Sequence, residues 1–160
     1  MRRIAMTLAH SIRKAKKWAM SESLRWAWKI VKNQITAKVV GVTFGNRQQA
    51  LNRLCNYEPR RVVFTTRRES DNPYDSNAIA INVTVIGKGT VHIGYLPKDV
   101  AQILAPLLDK NLHPTILSWE ILGEETKGIK LSMELVTGIS RANQIHTATM
   151  KQPTALIAIR

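Results

Sequence analysis

The sequence predicts a mainly β protein with flanking helices: a small six-stranded, partly open barrel of SH3-like or oligonucleotide-binding (OB-like) type, preceded by a basic N-terminal helical segment. Three observations predict it. From Lys38 onward apolar residues recur with period two in short runs, as half-buried strands require. Gly87-Lys88-Gly89 and Gly123-Glu124-Glu125 supply hairpin turns between such runs. Before Lys38 the apolar period is helical, and the positive charge is concentrated there.

With 160 residues the chain can bury one core. Its net charge of +13 is uneven. Residues 1–38 hold ten Lys/Arg against Glu22 alone, whereas residues 39–136 hold eleven basic and ten acidic side chains. Arg141, Lys151 and Arg160 add charge at the other end without an acid. Attraction for a polyanion therefore comes from the ends of the chain. The expected organisation is a basic amphipathic helical extension over 1–36, a β-barrel domain over 37–136 and a loosely ordered tail over 137–160.

A single cysteine, Cys55, rules out an internal disulfide framework and a zinc ribbon, which suits a reducing compartment. His10, His92, His113 and His146 lack metal-ligand spacing and read as ordinary surface or strand residues, so no metal and no cofactor are expected. No apolar run reaches the roughly 20 residues that span a bilayer. The start Met1-Arg2-Arg3-Ile4 is basic enough for a signal or transit peptide. However, Thr7, His10 and Ser11 cut the apolar stretch, no small-residue cleavage site follows, and the helical segment runs into the first strand without a linker. A cytoplasmic protein is expected.

Helices are expected over 3–17 and 22–34, the second capped by Ser21 with Glu22 in its first turn. Leu24, Ala27, Trp28, Val31 and Ile35 form an apolar face. Arg25, Lys29 and Lys32 line another, and Arg13, Lys14, Lys16 and Lys17 crowd the end of the first helix. These seven cations are either a solvated face over a packed Trp28 or a phosphate-binding arm. Strands are expected over 38–44, 61–68, 77–86, 90–96, 114–122 and 128–136. A short helix is expected over 48–54. A longer one over 99–108 buries Val100, Ile103, Leu104, Leu107 and Leu108, and Pro106 should kink or restart it. Beyond Val136 the pattern fades; Leu156-Ile157-Ala158-Ile159 could add an edge strand, but a loose tail is the expectation.

The most specific stretch runs from Arg68 to Ile81. Pro73 presets a turn and keeps Asn72 out of the helical region, and Asn72, Asp75 and Asn77 can each bond nearby backbone. Ile79, Ile81, Val83 and Val85 then read as a half-buried strand. A polar corner tipped by Tyr74 thus sits against a sheet.

This corner, Asn72-Pro73-Tyr74-Asp75 with Asn77-Ala78-Ile79, follows Val39-Val40-Gly41-Val42-Thr43-Phe44 and precedes Ile93-Gly94-Tyr95-Leu96-Pro97 and a helix. In that order, from about Ala37 to Val136, the three motifs resemble the HIRAN domain. The family includes a module of fork-remodelling DNA translocases that holds the 3′ end of single-stranded DNA, and small stand-alone bacterial and phage-type proteins. The resemblance implies the same small barrel and a non-catalytic single-stranded DNA binding function with 3′-OH recognition. It implies that Phe44 and Tyr74 sandwich the terminal base, that Asp75 accepts from the 3′-hydroxyl, and that Asn72, Tyr95 and Lys98 support the sugar and phosphates. Stacking contributes about 1–3 kcal/mol per base irrespective of its identity. Without the resemblance, Phe44 reads as core, Tyr74 as a turn residue and Asp75 as an Asx-type turn former. Tyr95 stands where translocase members carry histidine and Thr43 where they carry arginine; Arg47, Arg60, Arg61, Arg67 and Arg68 are candidate replacements, although Arg67 and Arg68 point to opposite faces of one strand.

Two other function classes compete. One is an interaction or scaffold protein of a mobile element whose basic helices bind duplex DNA or an acidic partner, a translocase or repair protein among them. The other is a metal-dependent nuclease on Glu69, Asp71 and Asp75. Gly123-Glu124-Glu125-Thr126-Lys127-Gly128 lacks the Lys-Ser/Thr pair of a phosphate loop and lies between strands, so no ATPase is expected.

Overall fold

In a computed structural model that describes residues 2–32, 35–110, 112–137 and 149–150, the chain opens with two helices, α1 (Arg2–Lys16) and α2 (Met20–Val31). They pack on each other through small and branched residues, Ala5, Ala9 and Ile12 on one and Ser23, Ala27 and Ile30 on the other, all buried. This is a structural part of the core and not a detached arm. Lys17 ends α1 in a left-handed conformation (φ 55°), its N–H returning to the Arg13 carbonyl. The cap of α2 is Ala19, not Ser21. Met20 packs against the core from inside the first turn, so the helix starts earlier, and the Ser23 hydroxyl and N–H both donate to the Ala19 carbonyl.

Strand β1 (Ile35–Lys38) is shorter and earlier than expected. It pairs antiparallel with β6 (Gly128–Thr137), from Ile35 opposite Met133 to Lys38 opposite Lys130. The chain then crosses between sheets: Val39 N–H bonds the Ile129 carbonyl, and Val40 exchanges both backbone bonds with Tyr95. Gly41 (φ 75°) ends the extended run, which puts Phe44 on a turn and not on a strand. Helix α3 (Arg47–Leu54) and a 3-10 turn at Pro59–Arg61 lead into a meander, β2 (Val62–Glu69), β3 (Ala78–Val85) and β4 (Gly89–Tyr95). Helix α4 (Lys98–Leu108) packs against β3 and β5 (Leu112–Leu122). It runs through Pro106 without restarting, because the proline sits in the last turn and Asp109 N–H still reaches the Ala105 carbonyl.

The strands form two sheets, β1-β6-β5-β7 and β2-β3-β4, joined by the Val40–Tyr95 bridge. Among the described residues no closed barrel exists; the expected partly open barrel is two sheets hinged along one edge. Their inner faces meet where Phe64 packs on the buried Trp119, ring centroids 5.5 Å apart. Burying each such side chain contributes about 1.5–3 kcal/mol. Strand β7 (Thr149–Met150) pairs parallel with β5, so the expected loose tail contributes a short edge strand; residues 138–148 and 151–160, including the patch at 156–159, lie outside the described residues. Among the described residues no helix is long and apolar enough to cross a membrane.

Candidate nucleic-acid interface

The loop between β2 and β3 is built by nested Asx turns. Asn72 Oδ1 accepts from the N–H groups of Tyr74 (3.0 Å) and Asp75 (3.3 Å), and Asp75 Oδ1 accepts from Asn77 N–H (2.9 Å). Asp75 therefore does form its own turn, as a structural aspartate would. It does so with one oxygen, Oδ1; the side chain is half-buried, and no hydrogen bond to Oδ2 is found among the described residues. With the backbone satisfied locally, Tyr74 is extruded and 93% exposed.

On the neighbouring turn Phe44 is 69% exposed, which overturns its reading as core. The turn is pinned from behind: Arg47 Nη1 donates to the Gly41 carbonyl (2.7 Å), and the Phe44 and Arg47 N–H groups close on Gly41 and Phe44. Phe44 and Tyr74 are the two most exposed large hydrophobic side chains among the described residues.

A polar network joins their two turns. Tyr95, placed by its bridge to Val40, donates its hydroxyl to Glu69 Oε2 (3.2 Å), and Asn72 Nδ2 donates to the same oxygen (3.1 Å). Arg67 pairs with the other oxygen. Behind Tyr95, the His92 ring meets it edge-on at 4.7 Å and the Arg47 guanidinium lies 5.8 Å from its centroid. His92 Nε2 must donate to the Gly94 carbonyl (2.8 Å), because a carbonyl only accepts; Nδ1 is then the acceptor for Arg47 Nη2 (3.4 Å). The chain of contacts runs Phe44 turn, Arg47, His92, Tyr95, Glu69, Asn72, Tyr74 corner.

Electrostatics follow this wiring. Burial alone would push the Glu69 carboxyl up, but hydrogen bonds from Asn72, Arg67 and Tyr95 outweigh it and hold the group below its ordinary range. Burial and the adjacent Glu69 charge raise Tyr95, which stays a protonated donor. Gly94 (φ 149°) makes the wiring possible, since a Cβ there would stand 2.4 Å from the Val40 carbonyl oxygen.

None of the five candidate replacement arginines is free. Arg60 pairs with Glu58, Arg61 with the Ile86 carbonyl, Arg67 with Glu69, and Arg68 with Asp109 (3.5 Å) and the Ala78 carbonyl; Arg47 holds the Phe44 turn. Lys98, exposed at the first position of α4 after Pro97, has no partner among the described residues. Of the N-terminal cations, Arg13, Lys14, Lys17, Arg25, Lys29 and Lys32 are exposed, with Lys29 over the Trp26 ring (4.9 Å) and Lys32 over Trp28 (5.7 Å). Lys16 is half-buried beside Trp18 (5.4 Å). The proposed nuclease carboxylates are not a metal centre: both Glu69 oxygens are bonded, and no group of three His, Cys, Asp or Glu side chains among the described residues could hold an ion.

Residues 34–134 match the HIRAN domain family. The chain belongs to that family. A HIRAN domain is a DNA-binding module and not by itself catalytic. The crystal structure of the HIRAN domain of human HLTF is similar, with 22% identity over 64% of this chain and 74% of that one and a TM-score of 0.42. A crystal structure of a protein from Lactobacillus plantarum shares 20% identity over 60% of this chain and 89% of its own, with a TM-score of 0.39. No curated protein matches the sequence.

The structure places Phe44, Asn72, Tyr74, Asp75 and Tyr95 on or beside two linked turns; sequence reasoning misses that Glu69 ties Asn72 to Tyr95 and reads His92 as an ordinary surface or strand residue. The only signal for Glu69 was its position as the last strand residue before the HIRAN corner.

Proposed function

We propose that this HIRAN domain captures the 3′-OH end of single-stranded DNA without catalysis. Phe44 and Tyr74 stack on the terminal base, Asp75 Oδ2 accepts from the 3′-hydroxyl, and Lys98 with the free N–H groups at the start of α4 takes a backbone phosphate. Asn72 and Tyr95 hold the corner. The observation that carries this reading is the exposure of two rings, each of which would gain from burial, on turns joined through one chain of hydrogen bonds and ring contacts. A carboxylate beside them is tolerated by DNA only where the ligand offers a proton.

The test is fluorescence anisotropy with a labelled single strand and the variant Asp75→Asn. Asparagine keeps Oδ1 for the turn to Asn77 and removes the charge, so the fold is preserved. Asp75→Asn is expected to bind strands ending in 3′-OH and 3′-phosphate alike; a variant that still prefers 3′-OH as wild type does would refute the assigned role.

A further inference from the structure

The contacts behind the Phe44 turn give His92 a role, although it is assigned no DNA atom. The Phe44 ring lies beside Gly41: a Cβ on Gly41 would stand 3.8 Å from Phe44 Cδ2 and 3.1 Å from Arg47 Nη1. The Gly41 carbonyl accepts from Arg47 Nη1 at 2.7 Å, so the guanidinium fixes the turn that carries the ring. Its other nitrogen, Nη2, donates to His92 Nδ1 at 3.4 Å, while His92 Nε2 donates to the Gly94 carbonyl at 2.8 Å. Both side chains are half-buried. This arrangement admits only the neutral imidazole. A guanidinium has donors and no acceptor, so a proton on Nδ1 would set donor against donor and one positive charge against another. No ion pair among the described residues offsets it. Tyr95 meets the imidazole edge-on, and Glu69, with Arg67 on it, bonds the Tyr95 hydroxyl and not His92. Asn82 stands opposite His92 on β3, a strand without titratable residues, and Arg53, the other charge of α3, lies at the far end of that helix.

We infer that neutral His92 is a positioning residue of the end site: by accepting from Arg47 it keeps the Phe44 ring in place to stack, and its protonation releases that ring. The inference rests on the reading of Phe44 given above. An imidazole takes up its charge between about pH 8 and about pH 5. As pH falls through that interval the Arg47 contact turns repulsive, the hold on the Gly41 carbonyl loosens, and stacking weakens. The sign of the effect is diagnostic. New positive charge strengthens the attraction for phosphate, and the exposed His10 and His113 add it over the same interval, whereas the Arg47 contact makes His92 act in the opposite direction. Glu69 stays ionised throughout, because its carboxyl titrates below the ordinary carboxylate range.

The experiment titrates wild type, His92→Gln, Phe44→Ala and the double variant with a labelled oligothymidine strand ending in 3′-OH, at about pH 8 and about pH 5.5. Thymine does not titrate in this interval, and glutamine offers one donor group and one acceptor without taking a proton. On acidification wild type is expected to lose affinity about threefold or more relative to His92→Gln, a part of what one stacked ring contributes. With the ring already removed, Phe44→Ala and the double variant should respond to pH alike, because His92 acts through Phe44. A wild type that keeps pace with His92→Gln, or gains on it, overturns the inference. So does a loss in Phe44→Ala relative to the double variant, which would mean that His92 acts by another route. In either case weaker binding by Phe44→Ala than by wild type at the higher pH leaves the stacking role standing. Unchanged affinity of Phe44→Ala there overturns the reading of Phe44 and this inference with it.

Discussion

Replacing Glu69 by alanine tests whether the site is organised by its second layer. Glu69 touches no proposed DNA atom, but its side chain is only 14% exposed and accepts from three donors. Arg67 is 67% exposed, so its pairing contributes about 0–1 kcal/mol. The Asn72 and Tyr95 bonds come from half-buried donors and contribute about 1 kcal/mol each, the usual net worth of an intramolecular hydrogen bond. Glu69→Ala should therefore lose about 2–3 kcal/mol in urea unfolding at constant m. Freed from its anchor, Asn72 no longer fixes Tyr74 and Asp75, and affinity for single strands should fall about five- to tenfold. The carboxyl also sets an acid limb. Its folded pKa lies below the ordinary 4.5, so the stabilisation is present above that value and lost as pH falls through the folded pKa. The stability gap between wild type and Glu69→Gln should accordingly close on acidification below about 4.5. A change under about 0.5 kcal/mol in Glu69→Ala, or a gap that persists in acid, would refute the argument.

Gly94→Ala should destabilise by about 3 kcal/mol or more, since its Cβ meets the Val40 carbonyl and Val39 Cγ1 (2.7 Å) on top of an unfavourable φ; a wild-type melting temperature would show that the crossing strand is not so close. Phe44→Ala and Tyr74→Ala should each weaken single-strand binding by about 1–3 kcal/mol regardless of the end group, with folding unchanged because both rings are exposed; unaltered affinity would remove the stacking claim. Lys29→Glu with Lys32→Glu should lower affinity for longer strands or duplex and flatten the salt dependence while sparing the shortest oligonucleotides. Equal losses at every length would place the α2 stripe inside the end site.

Period two makes five of the six main strands legible almost to their ends, most plainly in β2 and β5, where buried positions alternate with more exposed ones. The corner was legible too, since Asn72, Pro73, Asp75 and Asn77 act on backbone within three residues of themselves. The first strand was misplaced because apolar alternation through Val39 and Val42 continues across a change of sheet, and the positive φ at Gly41 depends on a bridge to Tyr95, distant in sequence. Ser21 fits a cap by residue type, whereas packing of Met20 decides where α2 begins. The network was illegible for the same reason: Tyr95 and Glu69 are 26 residues apart, and Arg47 and His92 are 45 apart. Charge counting separated the basic end from the balanced domain but treated the cations as equivalent. Only packing of α1 on α4 distinguishes Lys16 from the solvent-facing lysines around it.

The central claim is that the carboxylate at position 75 accepts a proton from a strand terminus gripped by two rings. Competition titration of the wild-type protein, a labelled 3′-OH oligonucleotide displaced by unlabelled strands of the same sequence ending in 3′-OH or 3′-phosphate, addresses it most directly. The account predicts that the 3′-OH strand competes about tenfold better, the equivalent of about 1.4 kcal/mol; equal competition by the two strands would contradict it.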